Sequence, residues 1–159
     1  MSAPDRRALV LDAAVAEFGE HGWHGARIEA IAARAGISHP YLLRLFSSKR
    51  ELFVAAMDGA FDRMEETFAD AVARDDDDPI LALGEAYRVL LRDDPAALRL
   101  HMHALAVAGD SEVGEAVTRR YAALLERMGE LSGAPQDRVR TCFAVGLTLT
   151  VVTVLDLPD

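Results

Sequence analysis

Five residues within a stretch of seven stand out for what their side chains can do: Ser38, His39, Pro40, Tyr41 and Arg44. At 100° per residue on a helix, Pro40, Tyr41 and Arg44 fall within an arc of about 100°, while Leu42 and Phe46 point the other way. That outward arc offers an aromatic ring for thymine methyls or sugars, and a guanidinium able to bond two acceptors on guanine. Around it stand groups suited to phosphate: the Ser38 hydroxyl and His39 at the start of the same helix, Lys49 at the start of the next, and Arg27 at the start of the one before. Helix N-termini favour anions through free N–H groups and the aligned backbone dipole, and phosphate contacts of this kind set register without reading sequence. Plain capping accounts equally well for Ser38 and Ser48, and Arg34 is expected to be a solvated side chain.

Other chemistries find little support. The chain has no G-x-S-x-G, no glycine-rich phosphate loop and no nucleophile with an evident base and orienter, so it is not expected to be an enzyme and no cofactor is expected. His101 and His103 point about 200° apart on a helix and cannot chelate one ion, so no metal is expected. The single cysteine, Cys142, excludes an internal disulfide framework and reads as a small core residue.

A net charge of −9 over 159 residues argues at first against nucleic acid, because phosphate neutralisation is the main source of DNA affinity. The distribution of that charge points the other way. Residues 1–50 carry Arg6, Arg7, Arg27, Arg34, Arg44, Lys49 and Arg50 against Asp5, Asp12, Glu17, Glu20 and Glu29, whereas the remainder has ten basic and 21 acidic side chains. A duplex would repel the acidic body, so only the first third can face DNA. The opening MSAPDRR lacks the apolar run of a secretory signal, and a cytoplasmic setting is expected.

The elements that must position these groups are helical. Apolar residues recur three and four apart between breakers, and no βαβ unit is visible. Helix one is expected over 5–21, with Val10, Ala13, Ala14 and Phe18 inward, Gly22 ending it and Trp23 capping the core. Helix two spans 27–35 with Ile28, Ile31 and Ala32 inward. Gly36 then supplies the permissive backbone of a tight turn, Ser38 caps helix three and Phe46 closes it. Ser48-Lys49-Arg50-Glu51 matches a reciprocal capping box opening a long helix four to about Arg74. The aspartate run at 75–78 reads as a solvated loop and cap. Asp78-Pro79 and Asp94-Pro95 open helices five and six, Gly109-Asp110-Ser111 opens helix seven, and Pro135 begins helix eight, which ends near Leu155.

Residues 10–53, VLDAAVAEFGEHGWHGARIEAIAARAGISHPYLLRLFSSKRELF, resemble without gaps the N-terminal DNA-binding domain of the TetR family. Matching positions include Phe18, Gly22, Ile31, Ala32, Ala35, Gly36, Ser38, Leu42, Phe46, Lys49 and Leu52. The resemblance implies an all-α protein, with a helix-turn-helix domain over 1–47 and a helical sensing and dimerisation domain over 48–159. It further implies a dimer whose recognition helices enter successive major grooves, with helix four linking ligand state to their separation. The sequence departs from the family where Tyr41 replaces a small residue, Leu43 a tyrosine, Leu45 a histidine, and Ala26-Arg27 a threonine or serine. Tyr41 and Arg27 are the replacements for the phosphate contacts so lost.

In the body, Met57, Phe61, Met64 and Phe68 form a stripe that most often means core. With Tyr87, Met102, Tyr121, Met128 and Phe143 they are the expected lining of any effector cavity, since methionine and aromatics fit varied apolar shapes. Residues 141–155 carry no charge, are too short for a bilayer span of about 20, and must be covered on both faces. A two-fold homodimer interface through helix eight (residues 135–155), flanked by helix seven and with Gly146 allowing close approach, is expected, and no membrane. The resemblance usually supplies one more helix to this interface; here it comes from chain beyond Asp159 or the interface is built otherwise. The function expected is a ligand-responsive repressor binding a palindromic operator. Its rivals are a helical protein-interaction module and a small-molecule-binding protein without DNA binding.

Overall fold

The computed structural model describes residues 3–74 and 77–157, and every regular element among them is helical. The helices are α1 (Ala3–Gly25), α2 (Ile28–Arg34), α3 (His39–Leu45), α4 (Lys49–Arg74), α5 (Pro79–Asp93), α6 (Pro95–Ala106), α7 (Gly114–Ser132) and α8 (Gln136–Val154). The all-α expectation is met. Of the aspartate run, residues 75 and 76 lie outside the described residues. No helix described is long and apolar enough to cross a membrane.

Contacts divide the chain into two compact units. The first holds residues up to Ala60 together with Ala96–Arg119, the second Phe61–Pro95 and Arg120 onward. In the first, Val10, Ala14 and Phe18 of α1, Ile31 and Ala32 of α2, Leu42, Phe46, and Leu52 and Phe53 of α4 are buried. Phe18 meets Phe53 edge-on at 5.0 Å between ring centroids, and Trp23 leans on Phe53 at 5.3 Å, so Trp23 does cap the core. α1 continues past Gly22 to Gly25, but only through a break at Gly22, whose φ of 69° suits glycine. A Cβ there would also lie 2.9 Å from His103 Nδ1.

The turn between α2 and α3 is a Schellman closure. Ile37 N–H donates to the Ala32 carbonyl at 3.0 Å and Gly36 N–H to that of Ala33 at 3.2 Å, with Gly36 at φ 66°. Ser38 caps α3 by accepting from Tyr41 N–H at 3.3 Å. Ser48 accepts from Glu51 N–H at 3.1 Å, but the return half of the expected capping box goes one residue earlier. The Glu51 carboxylate accepts from Ser47 N–H at 2.8 Å and from its hydroxyl at 2.6 Å. Helix seven starts later than expected: the Asp110 carboxylate accepts from Glu112 and Val113 N–H groups, closing a turn ahead of the helix rather than its first coil.

In the second unit, Asp78 caps α5 by accepting from Leu81 N–H, and α5 packs on α8. Tyr87 and Thr150 share a hydrogen bond at 2.6 Å. Gly146 faces Tyr87, whose ring would lie 3.3 Å from a Cβ at that position. Close approach at Gly146 therefore serves packing inside the chain and not the expected contact between copies. The remaining face of α8 is open, with Val145, Val151, Val154 and Leu155 all exposed. Thr141 and Thr148 turn their hydroxyls to carbonyls four residues back, at 2.9 and 3.0 Å.

Candidate nucleic-acid interface

α3 presents its residues as the helical period requires: Leu42 is fully buried, Pro40 and Arg44 are exposed, and His39 and Tyr41 are half-buried. Ser38 is exposed, and because its oxygen accepts from Tyr41 N–H its hydroxyl proton is left to donate outward. The Arg44 guanidinium lies 5.5 Å from the centre of the Tyr41 ring, so the two groups with base-reading chemistry stand together. Arg27 is the residue preceding α2. Its side chain is exposed while its backbone N–H donates to the buried Glu17 carboxylate at 3.3 Å, which fixes where α2 starts. Lys49 opens α4 half-buried, with its ammonium 5.1 Å from the Trp23 ring centre, and burial lowers its pKa from the ordinary value.

Two basic residues not expected to take part join the group from α1. Arg6 donates to the Tyr41 hydroxyl at 3.5 Å, and Arg7 donates to the Leu45 carbonyl at 3.1 Å while its guanidinium covers the Phe46 ring at 4.1 Å. These partners lie 35 and 38 positions away, beyond the reach of local periodicity. Arg34 is not simply solvated: it forms a two-bond fork on Glu20, at 2.6 and 3.1 Å, and lies 3.6 Å from Glu17. The Arg34 hydrogen bonds hold the Glu20 carboxyl below its ordinary range.

Charge neutralisation differs sharply along the chain. Among the described residues, Arg6, Arg7, Arg27 and Arg44 have no carboxylate within 4.0 Å, whereas Arg63, Arg92, Arg120 and Arg127 each do. Arg120 bridges Asp62 at 2.8 Å and Glu65 at 2.6 Å. Among the described residues, Arg50, Arg99 of α6 and Arg140 of α8 also lack a counter-charge, but Arg6, Arg7 and Arg44 gather at α3 itself. Such groups gain most from phosphate, because binding it breaks no existing ion pair.

For metal or effector the arrangement offers less. Ligand-type atoms of Glu17, Glu20 and His21 lie within 4.8 Å of one another, but Arg34 already bonds the Glu20 carboxylate and flanks that of Glu17. Of the expected cavity lining, Phe61, Tyr121 and Phe143 form a chain of edge-on rings, at 4.9 and 6.2 Å, and Phe68 meets Tyr87 at 6.5 Å. Met64, Phe68 and Met128 are buried core, and Met57 and Met102 belong to the first unit. A groove of 260 Å³ in the second unit is lined instead by Asp62, Glu65, Glu66, Ala69 and Arg127.

Residues 10–56 match the signature described as bacterial regulatory proteins, tetR family. Over 98 residues the chain is 36% identical to the HTH-type transcriptional regulator RutR of Escherichia coli (strain K12), covering 60% of this chain and 45% of that protein. It is 34% identical, over the same shares, to the HTH-type transcriptional activator FasR of Mycolicibacterium smegmatis. The match thus spans less than half the length of these relatives. Among solved structures, a TetR-family member from Streptomyces coelicolor A3 is similar with a TM-score of 0.78 at 23% identity, over 96% of this chain and 89% of that one. A TetR-like transcriptional regulator from Rhodococcus sp. RHA1 is similar with a TM-score of 0.75 at 24% identity, over 100% and 89%. At these identities the likeness is one of fold. The N-terminal third thus carries the signature of the tetR family of bacterial regulatory proteins, and the helical fold of the whole chain is similar to that of solved TetR-family structures.

Proposed function

We infer that the chain is a ligand-responsive transcriptional repressor that grips a palindromic operator as a homodimer in the cytoplasm. Residues 1–47 serve as its DNA-binding domain and 48–159 as its sensing and dimerising domain. The observation that carries this reading is the set of arginines around α3 that no carboxylate neutralises, in a chain whose net charge is −9. α3 enters the major groove, Tyr41 and Arg44 read base edges, and Ser38, His39, Pro40, Arg27 and Lys49 hold sugar and phosphate. The open apolar face of α8, flanked by α7, takes a second copy, which sets two α3 helices about one turn of duplex, roughly 34–36 Å, apart.

An effector of irregular apolar shape enters among Phe61, Met64, Phe68, Tyr87, Tyr121, Met128 and Phe143 of the second unit, by displacing packed rings. Binding one conformation more tightly than the other then lowers operator affinity. Selection of a 30-base-pair duplex from a random pool, followed by titration in rising salt and a footprint on DNA flanking the protein's own gene, tests the reading. Tyr41→Ala and Arg44→Ala should each weaken the selected duplex by roughly 5- to 150-fold and leave a random duplex nearly unchanged. No salt-dependent binding of any duplex would instead support a protein-interaction module. Tight ligand binding indifferent to DNA would support a small-molecule-binding protein.

A further inference from the structure

α3 has seven residues, too few to hold a helix in water without outside contacts. Leu42 and Phe46 fix its inner face, but apolar packing is non-directional and leaves a short helix free to roll. Directional contacts come at both ends from two consecutive arginines in the first turns of α1. Arg6 donates to the Tyr41 hydroxyl, in the first turn of α3. Arg7 donates to the carbonyl of Leu45, the last residue of α3, one of the acceptors a helix end leaves without an internal partner. The Arg7 guanidinium also stacks on Phe46, where the chain leaves the helix, and its charge acts on Glu51, whose carboxylate bonds Ser47 at the start of α4. Both arginines are exposed, and among the described residues neither has a carboxylate within 4.0 Å.

We propose that Arg6 and Arg7 are positioning residues for sequence reading: Arg7 locks the C-terminal end of α3 onto α1, Arg6 sets the Tyr41 ring, and together they fix the direction in which Tyr41 and Arg44 meet a groove. The proposal rests on the DNA-binding function inferred for α3. It differs from a simple phosphate role for the same arginines, because a phosphate contact strengthens every duplex alike, whereas a misaimed α3 loses only the preferred one.

The test uses the whole 159-residue chain, a duplex selected by the wild type from a random pool, and a random duplex of equal length. Arg7→Gln should weaken the selected duplex about tenfold or more and the random duplex by no more than about threefold, with the salt slope kept. Arg7→Lys should lose the ratio too, because an ammonium lacks the planar fork that bonds a carbonyl and stacks on a ring at once. Arg6→Gln should give a smaller loss of the same kind. Equal weakening of both duplexes with the salt slope falling by about one would make Arg7 a phosphate contact and overturn the proposal, as would full rescue by Arg7→Lys. If Arg7→Gln fails to fold by circular dichroism, the Arg7→Lys and Arg6→Gln ratios decide. A wild type that prefers no duplex removes the DNA reading and this proposal with it, whereas a discriminating wild type with discriminating variants removes this proposal alone.

Discussion

Gly22 and Gly36 both adopt left-handed backbone, at φ 69° and 66°, yet their surroundings differ, and that difference separates two costs in one experiment. A Cβ on Gly36 would meet nothing within 4 Å, so Gly36→Ala carries only the backbone term, about 1–2 kcal/mol for a side chain in that region. A Cβ on Gly22 would stand 2.9 Å from His103 Nδ1, the far end of a side chain that can rotate, which adds about 1 kcal/mol for an off-rotamer imidazole. Gly22→Ala should therefore cost about 2–3 kcal/mol, or roughly 4–12 °C in melting temperature for a chain of this size. The double variant Gly22→Ala, His103→Ala should recover about 1 kcal/mol relative to the sum of its singles. Urea unfolding followed by far-UV circular dichroism measures all four at once. Equal costs for the two glycine variants, or strict additivity with His103→Ala, would show that steric conflict at Gly22 plays no part.

Lys49→Ala should weaken selected and random duplexes alike and reduce the slope of affinity against salt by about one, read by fluorescence anisotropy at several salt concentrations. Val145→Glu, placing a charge on the open face of α8, should convert a dimer to a monomer in analytical ultracentrifugation, while a sedimentation profile unchanged from wild type would refute the assigned interface. Arg34 holds the Glu20 carboxyl below its ordinary 4.5, so the pair contributes stability that is present above pH 4.5 and is lost as pH falls through the folded value; Arg34→Ala should flatten that acid limb in melts between pH 5 and 2.5. Tyr87→Phe leaves Thr150 without its partner across α5 and α8 and should cost about 1 kcal/mol in the same unfolding assay.

What sequence pattern revealed was local. The arc of Pro40, Tyr41 and Arg44 and the burial of Leu42 and Phe46 follow from helical period, and the Ser38, Ser48 and Asp78 caps from side chains that reach only three residues. What it concealed was decided by partners far along the chain. Arg34 finds Glu20 fourteen residues back, and Arg6 and Arg7 find α3 across more than thirty. Gly146 reads as a place for a neighbouring subunit until Tyr87 is seen to occupy it. Likewise α6 packs with the N-terminal helices through close approaches that only glycine permits: a Cβ on Gly19 would stand 2.6 Å from the Ala96 carbonyl, a contact no apolar periodicity encodes. The late start of α7 has a shorter-range cause, since aspartate at position 110 serves a turn as readily as a helix cap.

The threonines of α8 alter what that helix shows to its surroundings. Because Thr141 and Thr148 satisfy their hydroxyl protons on the backbone of their own helix, what they turn outward is methyl carbon, and the surface is more hydrocarbon-like than a count of polar residue names suggests. Covering those two positions strands no hydroxyl donor, so what lies against them is selected largely by contour, and trimming the exposed Val145 or Val151 beside them to alanine should retune the match by shape without any change in polarity.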